Sequence, residues 1–495
     1  MTLSDRSLGW LRSLDRKAAT ADNWDRDGRP HPHWDDRTPT PSTGNLRGDL
    51  VESALALGLM ALRTPAWTER YTVIADALIE RHLRWWAAAD WLTQIGHDPR
   101  RGTDPRPGTE PDQERDRQQA ERHGGTDADG PGWAANGVEP WGLQLDPVLA
   151  DGNLSYKASL LLLLGIRATI NPDGRWNTPF RVFGDSGEDR TWTHAELAAH
   201  IAGQWAAQPD GPHSENTKVW PEHLAMAGLG LLLADRHHGT DHHARVAQPW
   251  WERARRDDFG LDRPELPDTV TRYRDPQLGL VVDGPVTDAL ATACWLAPAA
   301  PEDARRIFDA AVARARLADG IEAGPEAARR AGFALLLAKE WGLGELASAL
   351  WRAIEARCEP VTDPASGSFD WALGLDEDSP RGRPNAVLAA AEACGSGLWS
   401  RLAGPVSPPC PQVVDVDFPR LAVTRAEWAN GCLVLRLVAL EEQRTVFSSF
   451  RIIGAEPRIW CMSGLDGVST DVTSREVIVR VPLRSGELEF TPGSY

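Results

Sequence analysis

Apolar residues recur at helical spacing along most of the chain between about residues 45 and 402. The periodic segments come in pairs, joined by loops rich in Pro, Gly and Asp. Thr193-His-Ala-Glu196 has the form of a capping box, and Pro301 and Pro325 suit a first helical turn. Helices are predicted at residues 50–63 and 67–86, 155–168 and 193–207, 221–236 and 242–256, 287–297 and 301–317, 325–341 and 343–358, and 385–394.

Paired helices of this kind predict a mainly α fold, and an (α/α)6 barrel of helical hairpins around a central cleft fits best. The predicted barrel covers residues 45–404, after an irregular N-terminal segment at residues 1–44. A polar insertion at about residues 97–137 interrupts it, because that stretch has almost no aliphatic residues. The insertion is open to two interpretations, a solvated surface loop or a functional lid.

The pattern of apolar residues changes after residue 404. Short β-branched runs bounded by turn residues appear there, namely CLVLRLVAL at 432–440, RTVFSSFRIIG at 444–454 and EVIVRVPL at 476–483. Residues 405–495 are therefore predicted to form a small antiparallel β module.

Charge and composition narrow the classes of partner. The 495 residues include 71 acidic and 53 basic side chains, and the net charge of −18 opposes binding to nucleic acid. No apolar stretch reaches the roughly 18 to 20 residues of a membrane span, and the start carries charges unlike a signal peptide, so a cytoplasmic protein is predicted. The six cysteines lack metal-type spacing and are interpreted as reduced core residues.

Three separated segments resemble those of a known protein family. The first is Asn153-Leu-Ser-Tyr-Lys-Ala-Ser-Leu160, and the second is Ser214-Glu-Asn-Thr-Lys-Val-Trp-Pro-Glu-His223. The third runs from Cys358-Glu-Pro to Gly374-Leu-Asp-Glu-Asp-Ser-Pro-Arg-Gly-Arg-Pro-Asn-Ala386. Together they resemble the linalool dehydratase/isomerase family over most of residues 45–405. The resemblance implies an (α/α)6 barrel, often oligomeric and without a cofactor, whose mouth protonates and deprotonates an allylic alcohol or alkene.

The chain departs from the family pattern at several positions. Ser214 and His223 stand where the family has two cysteines, and Ser159 and Ser155 stand where it has a histidine and a methionine. The family glutamate is retained as Glu215. These differences predict changed chemistry at the same mouth.

Proton transfer needs a group whose pKa lies near working pH, such as histidine or a desolvated carboxylate. Glu215 and His223 are accordingly the predicted acid/base pair. Asp49 and Tyr156 complete the catalytic candidates, because they could orient a reacting hydroxyl group. Three of these residues also have a structural interpretation: His223 as a half-buried helix residue, Asp49 as a helix-start acid and Tyr156 as a core residue.

Further residues are predicted to contact substrate. Trp220 could wall the pocket, and the 22 tryptophans could line a cleft for an apolar or unsaturated substrate. Glu222 is alternatively a first-turn helix acid, and Asp288 is a second-rank candidate. The predicted substrate-binding residues are Ser155, Ser159, Ser214, Trp220, Glu222, Asp283 and Trp371.

Other chemistries lack their motifs. No phosphate-binding glycine motif or Asp-rich terpene-synthase motif occurs, and His237-His238 with His242-His243 are interpreted as a surface turn, so no metal is predicted. Three hypotheses remain. The first is a cofactor-independent lyase or isomerase, including a dehydratase or cyclase, acting on a small hydrophobic terpenoid or polyketide-like substrate. The second is a carbohydrate-active lyase or glycosidase, and the third is a non-catalytic binding or scaffolding homologue.

Overall fold

The fold is mainly helical, with a small antiparallel β module at its C-terminal end. A computed structural model describes residues 2–19, 43–83, 148–149, 152–182, 190–214, 218–263, 270–276, 279–375, 381–404, 410–454, 460–473 and 476–492. The helices within these ranges are α1 (Asp5–Ala19), α2 (Thr43–Arg63), α3 (Glu69–Arg81), α4 (Leu154–Ile170), α5 (His194–Ala207), α6 (Pro221–His238), α7 (Gln248–Asp257), α8 (Val286–Leu296), α9 (Pro301–Arg314), α10 (Pro325–Glu340), α11 (Gly344–Arg357), α12 (Gly382–Ala393) and α13 (Leu398–Leu402).

Six of these helices pack in a closed order. Helix α2 contacts α4, and the contacts continue through α6, α8 and α10 to α12, which packs against α2 again. Helix α4 buries fifteen of its seventeen residues, whereas α9 buries only Ala304, Ile307, Phe308 and Ala311. A helix that is apolar all round belongs inside a core, and one with a single apolar stripe lies on the surface. The six helices therefore form the centre, and helices such as α9 and α11 pack outside them.

The N-terminal segment is not wholly irregular, and the prediction for residues 1–44 needs correction there. Helix α1 covers Asp5–Ala19 and packs against α3, α12 and strand β6 (Ser368–Trp371). Leu8, Leu11 and Leu14 recur on one buried face, while charged residues alternate with them along the sequence. The apolar stripe is narrow, and the charges between its members conceal the helical period.

Gly9 of α1 lies against the hairpin that contains β6. A Cβ atom added at Gly9 would stand 2.5 Å from Phe369 Cβ and 3.1 Å from the Phe369 backbone nitrogen. We expect Gly9→Ala to lower the free energy of unfolding by about 1–3 kcal/mol, because this contact must open. Gly203 of α5 is the matched control, since nothing lies within 4 Å of its added Cβ. Urea denaturation should show Gly203→Ala gaining about 0.5–1 kcal/mol through helix propensity. Equal changes in the two variants would contradict the packing argument.

Within the described residues, three short hairpins interrupt the helical array, and none of them was predicted. They are β1 (Phe180–Arg181) with β2 (Thr191–Trp192), β3 (Val270–Asp275) with β4 (Leu280–Gly284), and β5 (Pro360–Asp363) with β6 (Ser368–Trp371). The backbone of Arg274 also exchanges hydrogen bonds with Val219, just before α6. The β3–β4 hairpin is thereby fixed beside the start of α6.

The C-terminal β module is confirmed as antiparallel. Its two four-stranded sheets have the orders β12-β13-β10-β7 and β11-β14-β9-β8. Leu433, Leu435 and Leu437 alternate with less buried residues on β9, as a half-buried strand requires. The Leu3 N–H donates to the Thr424 carbonyl at 2.8 Å, so the module is tied to the N-terminal segment. The strands are β7 (Gln412–Val414), β8 (Leu421–Ala429), β9 (Cys432–Ala439), β10 (Gln443–Ile453), β11 (Trp460–Gly464), β12 (Ser469–Val472), β13 (Glu476–Leu483) and β14 (Gly486–Pro492).

Two smaller expectations can be compared with the described residues. The cysteines whose side chains are described are free, and Cys294, Cys358 and Cys394 are buried, as expected for reduced core residues. No helix in the described part of the chain is both long and apolar enough to cross a membrane.

Candidate active site

Six charged side chains meet where the N-terminal ends of four central helices come together. Four of them belong to these ends, three in the first turn and Arg329 as the fifth residue of α10, and the other two come from α2 and from strand β3. Because the four helices contribute from their N-terminal ends, the cluster lies at one end of the central group of helices. Its members are Glu52 of α2, Glu222 of α6, Arg272 of β3, Asp288 of α8, Arg329 of α10 and Arg383 of α12; they are called the mouth cluster below.

Glu52 is the buried floor of the mouth cluster, with only 1% of its side chain exposed. Its Oε1 atom accepts hydrogen bonds from Arg329 Nε at 2.9 Å and from Arg383 Nε at 2.8 Å. Its Oε2 atom is buried without a hydrogen-bond partner among the described residues. One carboxylate oxygen thus joins two guanidinium groups from different helices.

Arg329 connects this floor to a second carboxylate. Its Nη2 atom lies 2.9 Å from Glu52 Oε1 and 3.7 Å from Glu222 Oε1. Its guanidinium group also stands 4.9 Å from the centre of the Phe333 ring. Burial alone would lower the pKa of Arg329, but the charges of Glu52 and Glu222 raise it, so the group stays cationic.

Glu222 and Asp288 form a pair of interacting carboxyl groups on the more open side of the cluster, with 18% and 20% of their side chains exposed. Burial raises the pKa of Glu222 to about 7, and the Asp288 charge adds to this rise while Arg329 and Arg383 oppose it. Burial also raises the pKa of Asp288, against the nearby guanidinium group of Arg272, whose Nε lies 3.7 Å from Asp288 Oδ2. Glu222 can therefore exchange a proton near neutral pH.

An aromatic stack borders the carboxyl pair. The ring of Trp220 stacks on His223 at 5.3 Å and contacts the ring of Tyr273 at 5.1 Å. Arg272 lies 5.3 Å from the Trp220 ring, in cation–π geometry. The Trp220 Nε1 atom is buried and has no hydrogen-bond partner among the described residues. Arg272 thus contacts both the predicted pocket wall and a carboxylate of the cluster.

His223 hydrogen bonds to Ser214, with 2.7 Å between its Nδ1 and the serine Oγ. Ser214 and His223, both selected from the sequence, are therefore in direct contact. The Ser214 carbonyl accepts from the Asn153 backbone N–H at 2.8 Å, which ties this loop to the start of α4. Glu215 lies outside the described residues, so its pairing with His223 stays a prediction.

Asp49 is engaged elsewhere. Its carboxylate forms an ion pair with Lys17 of α1 and accepts a hydrogen bond from Ser53 Oγ at 3.3 Å. Glu52, three residues further along the same helix, is the α2 acid that joins the mouth cluster. A glutamate inside a run of apolar residues was the available signal, because acids are almost never fully buried unless they are paired.

The three candidates on α4 are Ser155, Tyr156 and Ser159, and all of them are buried. Their polar groups bind either each other or His82, which follows α3. The Tyr156 ring stacks on His82 at 4.4 Å, and its hydroxyl group donates to the His82 carbonyl at 3.5 Å. Ser159 Oγ donates to the Ser155 carbonyl at 2.7 Å, which is a local helix contact. These contacts are typical of packing within the helical core.

The last two candidates do not lie in the mouth cluster. Asp283 is exposed on β4, where it is paired with Thr271 across the hairpin. Trp371 is 2% exposed and its ring contacts Phe369 edge-on at 5.2 Å. The Trp371 backbone N–H donates to Asn385 Oδ1 at 2.7 Å. The structure therefore brings together Ser214, Trp220, Glu222 and His223 from the predicted set, and places the second-rank candidate Asp288 beside Glu222.

Comparison with known proteins adds no relative. No protein-family model matches the chain, and no curated protein matches it at a significant level. Within the described ranges, no group of three or more His, Cys, Asp or Glu side chains has an arrangement suited to a metal ion.

Proposed function

We propose that the six closed-packed helices are the inner ring of an (α/α)6 barrel and that the mouth cluster is its active site. The proposed activity is that of a lyase or isomerase which transfers protons to and from a hydrophobic alcohol or alkene without a cofactor. The observation that carries it is Glu222, whose half-buried carboxyl group lies beside Asp288 with its pKa near neutrality. The segments that resemble the linalool dehydratase/isomerase family support the substrate class and the absence of a cofactor.

In the dehydration direction, protonated Glu222 donates its proton to the substrate hydroxyl group, and the C–O bond breaks to release water. The Asp288 carboxylate accepts a proton from the neighbouring carbon, and the electrons of that C–H bond form the double bond. Arg272 favours the ionised form of Asp288, as this role requires. The reverse steps hydrate an alkene. Two carboxyl groups in different environments can in this way divide the acid and base roles.

A second function is favoured by one feature of the cluster. Paired carboxyl groups beside an aromatic platform also suit a glycosidase or polysaccharide lyase. Here Glu222 and Asp288 adjoin the stack of Trp220 on His223 and Tyr273. The two functions differ in substrate, so the same protein variants test both.

Glu222→Gln is expected to lower kcat by about 10²- to 10⁴-fold, because the amide cannot supply a proton. The measurement is product formation by gas chromatography from a panel of allylic alcohols and alkenes, beside reducing-end release from oligosaccharides. Glu345→Gln is the matched control, since Glu345 is an exposed first-turn acid of α11, and it should stay within about twofold of the unaltered protein.

Each outcome of this experiment decides something. Turnover of the alcohols by Glu222→Gln at the unaltered rate would remove Glu222 from the mechanism. Cleavage of oligosaccharides without turnover of the alcohols would establish the second function. Folded protein that transforms neither class would favour a non-catalytic binding homologue.

A further inference from the structure

We propose that Glu52 is a positioning residue of the mouth cluster: by binding Arg329 and Arg383 through one carboxylate oxygen, it keeps their positive charge from fixing Glu222 in its ionised form. This inference rests on the proposed function, in which Glu222 must both give and take a proton. It assigns a role to a residue that touches neither the carboxyl pair nor the aromatic stack in any described contact.

The geometry makes Glu52 the shared partner of both cations. Arg329 Nε and Arg383 Nε lie 2.9 Å and 2.8 Å from the same oxygen, Oε1. From Arg329, the Nη2 atom stands 2.9 Å from Glu52 and 3.7 Å from Glu222. The closer carboxylate is therefore Glu52, and Glu222 receives the weaker contact.

Charge balance explains why this division matters. Without the anion of Glu52, two guanidinium groups would face Glu222 with no compensation on their buried side. A carboxylate beside uncompensated cations gives up its proton readily and then cannot act as an acid. Glu52 offsets this pull, and burial of Glu222 then keeps its proton affinity near the working range.

The charged groups that act on Glu222 come from every side of the cluster. Glu52 and Asp288 raise its pKa, whereas Arg329 and Arg383 lower it. Arg272 and Glu326 act on its partner Asp288. On α4 and α5, which also pack against α6, the Lys157 ammonium group donates a hydrogen bond to Gln204 Oε1 at 2.5 Å.

A purely structural ion pair makes a different prediction. Buried pairs often contribute little net stability, and removing one member mainly leaves the other uncompensated. Loss of Glu52 in a structural role would lower stability and leave the proton affinity of Glu222 unchanged. The titration of Glu222 itself therefore separates the two roles.

The experiment is a carbon NMR titration of the full-length chain labelled at the side-chain carboxyl carbon of glutamate. The Glu222 signal is assigned by its loss in Glu222→Gln. In the unaltered protein we expect a midpoint near neutral pH. In Glu52→Gln we expect the midpoint to fall by at least one pH unit, a tenfold or greater loss of proton affinity. Glu345→Gln removes the same charge from the exposed first turn of α11 and should move the midpoint by a few tenths of a unit at most.

A double variant covers the case in which Glu52→Gln folds poorly. Glu52→Gln combined with Arg383→Gln removes one anion and one cation, so the midpoint should return toward that of the unaltered protein. The inference is overturned if Glu222 titrates near neutrality in both the unaltered protein and the folded Glu52→Gln variant, or if the double variant gives no return. A midpoint at the ordinary glutamate range in the unaltered protein would instead overturn the proposed function.

Discussion

Replacing Asp76 by alanine is expected to lower the free energy of unfolding by about 3–5 kcal/mol, since a buried cation would lose its main partner. The Asp76 carboxylate accepts from Arg167 Nε at 2.8 Å and Nη2 at 3.1 Å, from Arg175 Nη1 at 2.8 Å and from Trp176 Nε1 at 2.7 Å. Arg167 is only 2% exposed, and Asp173 would remain as its one described carboxylate partner. The network joins α3, α4 and the turn after α4.

Glu80 provides the matched control for Asp76. It binds the same Arg175 side chain, but both partners are about half exposed, with 53% and 47% of their side chains accessible. Exposed pairs contribute roughly 0–1 kcal/mol, so Glu80→Gln should change stability by about 0.5 kcal/mol or less. Urea denaturation of both variants at neutral pH measures the difference. Similar losses in the two variants would show that burial of the network does not govern its contribution.

The helical part of the fold could be predicted because its apolar period is long and its helix starts have recognisable chemistry. The helix predicted at residues 221–236 is observed as Pro221–His238, and the capping box at Thr193 is confirmed through its bond from the Glu196 backbone N–H. Helix-entry signals are local, so they can be recognised in a few residues. Central and outer helices also differ in composition, as the mostly apolar α4 and the single apolar stripe of α9 show.

The short hairpins were not predicted because their signals are weaker. Strands β3 and β4 together span only eleven residues, and Arg272, Arg274 and Asp283 interrupt their apolar alternation. Strands of this length contribute few periodic positions, and burial depends on what packs against them. The β3–β4 hairpin matters for the candidate site, because β3 supplies Arg272 and Tyr273 to it.

The candidate site could be predicted most fully where its residues are close together in sequence. Trp220, Glu222 and His223 fall within four residues and were all selected from the resemblance, and Asp288 was a second-rank candidate at the start of a helix. Glu52 and Arg329 are 277 residues apart and meet because α2 and α10 both pack against α12. The apolar neighbours of Glu52 indicate a buried acid, but no sequence feature identifies Arg329 as its partner, so their pairing follows from the tertiary fold alone.

The predicted candidate Asp49 lies only three residues from Glu52, the acid that joins the mouth cluster. Asp49 and Glu52 lie on one helix, and both are buried acids. A separation of three residues leaves them only about 60° apart around the helix and about 4.5 Å apart along it, so they lie on nearly the same face. Asp49 meets Lys17, whereas Glu52 meets two arginines of the mouth cluster. A sequence pattern identifies the helix but resolves this difference only when the neighbours are known.

Acid is expected to destabilise the protein through His194, the first residue of α5. His194 is 1% exposed and shares a hydrogen bond with His238 at the end of α6, with 3.1 Å between His194 Nδ1 and His238 Nε2. Burial, together with the charges of His238 and His237, lowers the pKa of His194 to about 3. His194 stands at the N-terminal end of α5, where the helix dipole disfavours a cation, so the dipole acts in the same direction as burial.

The sign of the effect follows from where the proton binds. Below pH about 6.5 the unfolded chain protonates this histidine, whereas the folded protein keeps it neutral until the pH approaches 3. Stability from this group is therefore complete above pH about 6.5 and falls by roughly 1.4 kcal/mol for each pH unit below it. His237, whose pKa burial lowers to about 4, adds to the loss.

His194→Phe removes the titrating group and fills the same buried space. Between pH 4.5 and 6.5 its unfolding free energy should fall less steeply than that of the unaltered protein, by roughly 1.4 kcal/mol per pH unit. Above pH 7 the two proteins should show the same pH dependence, which serves as an internal control. Urea denaturation at half-unit pH steps gives both slopes. Parallel curves throughout the acid range would mean that His194 binds its proton equally well in the folded and unfolded chains.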